Sequence, residues 1–232
     1  MSEVLNMDFV MGNLKKAEQI LGYDPATVEQ ASYEWHRMRL GVVTASKASA
    51  VVMKAGSATR QSYMAELCAE IATGAPMEMI SGKAIEWGRE YEPMAIQSWE
   101  FVNGEALQRF GFMYSEDMRL GCSPDALTSR GGWETKCPFI TTNHILTLAD
   151  GVIKPEYQWQ IQFSLMVSGF DEWIFNSFDP RMKKNQLCSI ICERNDKQQA
   201  TLADAVPQFI LELDRMLDAV GFTFGQQWEQ QA

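Results

Sequence analysis

The chain has only two histidines, His36 and His144, in 232 residues. Its cysteines number five, at 68, 122, 137, 188 and 192. Cys188 and Cys192 form one C-x-x-x-C, but no second pair stands at zinc spacing, so a structural zinc or iron–sulfur centre has little to be built from. An odd cysteine count in a Met-rich chain fits a reducing compartment better than a disulfide scaffold. No apolar run approaches the ~18 residues that would span a bilayer. The opening residues, MSEVLNMDFVMGNLKKAEQ, lack a basic start, apolar stretch and small-residue cleavage site, so a cytoplasmic location is expected with no membrane partner. Repeats, low-complexity tracts and long Pro/Gly/Ser linkers are absent too, and a single domain over 1–232 is the expectation. Positive charge is scarce: 20 Lys+Arg against 30 Asp+Glu give a net charge of −10, which in bulk repels nucleic acid and anionic membrane.

What is present is enough to bury a core, since 46% of the residues are hydrophobic. The charge is unevenly spread. Residues 31–60 carry Arg37, Arg39, Lys47, Lys54 and Arg60 against Glu34 alone, a local net charge of +4 that leaves −14 elsewhere. Hydrophobic spacing predicts an N-terminal helical region including Leu14 to Leu21, and a helix over about 82–101. Three short strands, 106–114, 118–123 and 132–137, follow, with Arg130-Gly131-Gly132 as the turn into the third. Pro155 opens a helix that Gly169 ends. Strands at 172–178 and 187–193 precede a helix over about 204–220, with Pro207 in its first turn. The order predicts a mixed α/β core rather than strict βα alternation.

The chemistry concentrates in Ser123-Pro124-Asp125 and, nine residues after Asp125, in Glu134-Thr135-Lys136. Side chains at i and i+2 of a strand share a face, so Glu134 and Lys136 project together, and a hairpin partner ending at Asp125 brings a second carboxylate beside them. Carboxylate oxygens suit Mg²⁺ or Mn²⁺, which keep several waters and take one or two carboxylates plus substrate phosphate. A Glu and a Lys alternating on a strand are more often a solvated face, and the letters alone are a loose motif. Glu92, on the preceding helix, can supply a third ligand. Gln158, Gln160 and Gln162 interrupt an otherwise apolar helix, where Gln158 and Gln162 share a face.

The strings Trp35-His36-Arg37-Met38-Arg39-Leu40-Gly41-Val42-Val43-Thr44-Ala45-Ser46, Glu86-Trp87-Gly88-Arg89-Glu90-Tyr91-Glu92, Cys122-Ser123-Pro124-Asp125, Glu134-Thr135-Lys136-Cys137-Pro138-Phe139, Gln160-Ile161-Gln162 and Asp179-Pro180-Arg181-Met182-Lys183 resemble, in this order, the phage lambda exonuclease family of viral recombinase nucleases, within the PD-(D/E)XK superfamily. Pro207-Gln208-Phe209-Ile210 and the 221–228 segment match as well. The likeness runs from about Tyr33 to Trp228, and residues 1–32 match poorly.

The resemblance implies a restriction-endonuclease-like α/β core with a mixed central sheet flanked by helices. It implies a Mg²⁺-dependent, processive 5′ to 3′ exonuclease on linear double-stranded DNA, releasing 5′-mononucleotides and leaving a 3′ single-stranded tail. Two ions per site, with Mn²⁺ able to substitute, a ring-shaped homotrimer, a phage single-strand annealing protein as partner and a phage or prophage origin in a bacterial host follow from the same likeness. Residue by residue, Asp125, Glu134 and the Thr135 carbonyl match metal ligands, Glu92 a carboxylate that helps hold the second ion, Lys136 the catalytic lysine and Gln162 the glutamine that positions nucleophile and lysine. Arg39, Ser46 and Ser123 match the pocket for the terminal 5′-phosphate. Ile85 stands where an apolar wedge separates the terminal base pairs; a buried helix residue is an equal reading. The loop around Lys54 to Arg60 is shorter than in the relatives, where basic residues follow DNA. Two alternatives stay open: a PD-(D/E)XK nuclease of endonucleolytic or 3′-end polarity, and a non-cleaving clamp on DNA ends.

Overall fold

The computed structural model describes residues 5–77 and 82–229. Helices α1 (Asp8–Leu21), α2 (Tyr33–Met38), α3 (Ala48–Val51), α4 (Ala58–Thr73) and α5 (Lys83–Asn103) come first, with the short strand β1 (Val43–Thr44) between α2 and α3. Strands β2 (Met113–Tyr114), β3 (Leu120–Cys122), β4 (Ala126–Leu127) and β5 (Gly132–Lys136) follow. Then come α6 (Thr141–Asp150), α7 (Pro155–Ser168), β6 (Glu172–Phe178), β7 (Leu187–Glu193) and α8 (Asp196–Val220). No helix among the described residues is long and apolar enough to cross a membrane.

The strands form two sheets. One has the order β1-β3-β2, with β1 parallel and β2 antiparallel to β3; the other has the order β4-β5-β6-β7, in which only β5 and β6 run parallel. The α7 crossover makes that parallel pair, because a parallel connection needs an element long enough to return the chain to the same end of the sheet. Pro155 sits in the first turn of α7, where its missing N–H would be unbonded anyway, and Gly169 ends the helix at φ +75°. At the start of β5 the backbone lies so close to β6 that a Cβ on Gly132 would stand 2.4 Å from the Trp173 ring, so no larger residue fits there.

Alternation along β5 and β6 separates two cores. Trp133, Ile174 and Phe178 face α5, where they pack with Ala95, Ile96 and Trp99; Trp173 and Phe175 face α7 and join the larger core under α1, α3, α4 and α8. Glu134 and Lys136 therefore point to the α7 side. Sheet edge, α5 and α7 together frame the place where the chemistry-bearing residues meet.

Several expectations needed correction. Segment 106–114 is strand only at Met113–Tyr114, with an isolated bridge from Gln108 to Leu127. Segment 118–123 supplies β3 of the other sheet, and the hairpin partner of β5 is the short β4, which starts just after Asp125. Helix α4 went unread because its buried stripe includes Arg60, and its polar letters mask the period. Helix α8 begins at Asp196 rather than near 204, capped by Asn195, whose side chain accepts from the Gln198 amide. Its first two turns bury only Leu202, so they carry almost no apolar signal, and Pro207 falls inside the helix rather than in its first turn.

Candidate active site

Strand β5 carries the site. Asp125 N–H donates to the Trp133 carbonyl at 3.1 Å, and Asp125 Oδ2 accepts the Thr135 N–H at 2.7 Å. A residue's N–H and C=O leave a strand on the same edge. The Thr135 carbonyl therefore faces the Asp125 edge, which β4 no longer covers. Glu134, one residue away, turns to the α7 side and is only 3% exposed. Its Oε1 accepts from Lys136 Nζ at 2.5 Å and from Gln160 Nε2 at 2.7 Å. Glu92 approaches from α5 and is held at Oε1 by Arg109 Nη1 at 2.9 Å; the same nitrogen donates to the Asp125 carbonyl at 3.2 Å. Pro93, next to Glu92, has no N–H for the Arg89 carbonyl, so α5 lacks one helical hydrogen bond beside the site.

The electrostatics follow from three carboxylates around one strand end. Burial pushes the Asp125 carboxyl well above the usual carboxylate range, and the nearby Glu134 and Glu92 charges push the same way; Lys136 and the Thr135 N–H only partly oppose them. Burial alone would lower the Lys136 pKa, but the Glu134 and Asp125 carboxylates outweigh it and raise it, so the ammonium stays charged. Glu134 and Glu92 each have a protein cation on the carboxylate, whereas the Asp125 carboxylate has none bonded to it among the described residues.

Two clefts meet here. One, of about 520 Å³, is lined by Ile85, Glu92, Asp125, Lys136, Lys154 and Tyr157, among others. The other, of about 820 Å³, lies between residues 26–31 and 108–111 and shares Arg89, Glu92 and Asp125 with the first. Among the described residues, no three His, Cys, Asp or Glu side chains alone close a cage around an ion. The donor set nonetheless fits a hard divalent ion. Asp125, Glu134, Glu92 and the outward Thr135 carbonyl are all oxygen donors, and Mg²⁺ takes few carboxylates and fills its remaining positions with water and phosphate oxygen.

The structure brings together Glu92, Asp125, Glu134, Thr135 and Lys136, and leaves Gln162 out. Gln162 lies 5% exposed on the far side of α7, where its Nε2 donates to the Glu193 carbonyl and its Oε1 accepts from the Asn195 N–H and Gln199 Nε2. Two residues along a helix are about 200° around it, so Gln160 and Gln162 cannot share a site. The spacing of three that joins Gln160 to Tyr157, which lies against Lys136 (Nζ 5.2 Å from the ring centre) and stacks on Phe175, was the available signal. Arg109 was also missed, because one Arg in an irregular segment has no pattern to mark it. Ile85 is half-buried in the wall of the first cleft.

Arg39 lies over the Trp35 ring at 3.8 Å, with no carboxylate bonded to its guanidinium among the described residues, and burial pushes its pKa down to about 10. Trp35 Nε1 donates to Ser123 Oγ at 3.2 Å, and that hydroxyl donates to the Gly111 carbonyl at 2.6 Å. Ser46 is exposed and shares a 3.3 Å hydrogen bond with Thr44. The rest of the basic 31–60 segment is largely structural. Arg37 donates to the Leu21 and Trp228 carbonyls, Lys47 pairs with Glu66, and Arg60, 2% exposed, pairs with Glu212. Arg60 is therefore no DNA-following residue, since its donors are turned into the core.

A mixed sheet with helices on both faces, carrying an Asp, then Glu-x-Lys on the neighbouring strand and a Glu from the preceding helix, defines a restriction-endonuclease-like PD-(D/E)XK core. Residues 34–171 match the YqaJ-like viral recombinase domain. An alkaline exonuclease (LHK-Exo) from Laribacter hongkongensis is 34% identical, with 82% of this chain and 96% of that chain aligned, and superposes with a TM-score of 0.74; its complex with dAMP gives 0.75 over the same shares. ExoD of Escherichia coli (strain K12) is 43% identical over 76 residues, which is 33% of this chain and 87% of ExoD. A phage-related exonuclease from Haemophilus somnus 129PT, 15% identical, shares the fold over 78% of this chain and 96% of that one at a TM-score of 0.61. The chain belongs to the YqaJ-like viral recombinase family, related to phage and bacterial alkaline exonucleases rather than to lambda exonuclease in particular.

Proposed function

We propose that the chain is a DNA nuclease, and within that class a Mg²⁺-dependent exonuclease that shortens the 5′-ended strand of linear duplex DNA, releases 5′-mononucleotides and leaves a 3′ single-stranded tail for phage annealing recombination. The observation that carries this reading is the convergence of Asp125, Glu134, Glu92 and Lys136 where two clefts meet. LHK-Exo, named as an exonuclease and crystallised with dAMP, supports it by likeness. Bound at Asp125, Glu134, Glu92 and the Thr135 carbonyl, divalent ions would lower the pKa of a water and offset charge at the phosphorus and the leaving oxygen.

The chain's own groups do the positioning. Lys136, kept charged by its carboxylate neighbours, holds a proton and a positive charge beside the strand end, where it can orient the attacking water and stabilise negative charge on a phosphate oxygen. Gln160 and Lys136 fix the same Glu134 oxygen, Oε1, which leaves Oε2 as the oxygen an ion would take. Arg39, stacked on Trp35 and lacking a bonded carboxylate, is the guanidinium we assign to a terminal 5′-phosphate, beside Ser123 and with Ser46 nearby in sequence. A held end would orient the next phosphodiester toward the carboxylates, since Ser123 lies two residues before Asp125 in the chain. Ile85, on the cleft wall, is the proposed wedge. A ring-shaped homotrimer and an annealing-protein partner complete the proposal.

The test assays linear duplexes with 5′-phosphoryl or 5′-hydroxyl ends and a closed circle, with Mg²⁺ and with chelator. The proposal expects metal-dependent loss of the phosphorylated linear duplex first, and an intact circle. Cutting of the circle, or 3′-end loss, contradicts it.

A further inference from the structure

Arg109 stands on the border of the two clefts. Its Nη1 alone makes both bonds to the site, to Glu92 Oε1 and to the Asp125 carbonyl. Nε and Nη2 have no protein partner among the described residues, and the side chain is 60% exposed in the wall of the larger cleft. The other cation of the site differs. Lys136 holds a carboxylate that is 4% exposed, while Arg109 holds one that is 25% exposed. An exposed ion pair is weakly held, because water competes for both partners. Release of Glu92 by Arg109 is then a change of partner, which an exposed pair allows. Two free donors in a planar fork are what a phosphate oxygen pair binds, and Arg89 beside it adds a second cation to the same wall.

We propose that Arg109 is the resident counter-cation of Glu92, and that Glu92 exchanges this guanidinium for a divalent ion while Arg109 takes a phosphate of the DNA strand in the larger cleft. This rests on the nuclease reading for its phosphate arm and on the donor set for its ion arm. Arg109 is thus a positioning residue: it keeps Glu92 screened in the ion-free protein and makes DNA and ion loading favour each other.

The test titrates Mn²⁺ calorimetrically into wild-type, Arg109→Ala and Arg109→Lys protein without DNA, and measures KM and kcat on a phosphorylated linear duplex. A competitor that occupies a ligand weakens apparent ion affinity by the fraction of time it is bound. Arg109→Ala is expected to bind Mn²⁺ several-fold more tightly than wild type and to show a several-fold higher KM with kcat less affected; Arg109→Lys falls between. Circular dichroism checks that the variants are folded, which the exposure of Arg109 favours. Ion affinity that is unchanged or weaker in Arg109→Ala overturns the exchange, as a residue that merely props up the site would give. An unchanged KM overturns the phosphate arm. Failure of the nuclease reading shows separately, as wild-type protein that binds Mn²⁺ and cuts no DNA.

Discussion

Gln160 and Gln162 separate by one helical half-turn what their letters do not. Gln160→Ala removes the donor that orients Glu134, and losses of about 10- to 100-fold in kcat/KM are expected, as for groups that orient metal ligands. Gln162→Ala instead strips the buried amide that joins α7 to β7 and α8, leaving the Asn195 N–H without its acceptor. It is expected to cost about 1–3 kcal/mol of stability. Denaturant melts and initial rates on both variants check the pair; a catalytic loss confined to Gln162→Ala would reverse the assignment. Asp125 carries a pH prediction. Its folded pKa lies above the unfolded one, so the ion-free fold binds the proton more tightly and loses stability as pH rises through that value. A divalent ion offsets the same charge. The gain in melting temperature on adding Mg²⁺ should therefore grow as pH rises above the usual carboxylate range and flatten in Asp125→Asn, whereas a gain independent of pH would contradict it.

At the scale of elements, legibility followed apolar periodicity. Strands β6 and β7 and the α7 boundaries were readable because alternation, Pro155 and Gly169 are local signals. The first turns of α8 and the whole of α4 were not, since tertiary contacts, not a clean apolar stripe, hold them. Glu134 and Lys136 were readable as a same-face pair and Glu92 as a third carboxylate from the preceding helix, while the pairing of Glu92 with Arg109 was not readable. Arg60 shows how composition misleads: a basic letter in a basic window is an internal strut, with Nη2 on Glu212 at 3.0 Å and its guanidinium 4.8 Å from the Phe209 ring centre. Arg60→Ala should cost about 2 kcal/mol, below the cost of breaking a fully buried pair because Glu212 is 30% exposed and can be rehydrated. DNA affinity should not change. Weaker DNA binding at undiminished stability would return Arg60 to the DNA surface.

For the whole molecule, the scarcity of positive charge takes on a different meaning once the side chains are placed. The −10 average is not offset by a free basic stripe at 31–60, because Arg37, Lys47 and Arg60 are spent on protein partners. Among the described residues, cations without a bonded carboxylate or only partly engaged include Arg39, then Arg89, Arg109 and Lys154 in the cleft walls, and the exposed Lys54, and ions held by the carboxylates would add positive charge at the site. Positive charge is thus concentrated at the cleft walls beside the carboxylates, an arrangement no count of charges could show. The central claim is that Asp125, Glu134, Lys136 and their neighbours cut DNA rather than only hold it. The most direct measurement follows a 5′-labelled linear duplex with Mg²⁺ for wild type, Lys136→Ala and Glu134→Ala, with binding measured in parallel. The account predicts labelled mononucleotide from wild type alone and retained DNA binding by both variants. Lys136→Ala that degrades the duplex at the wild-type rate would contradict it.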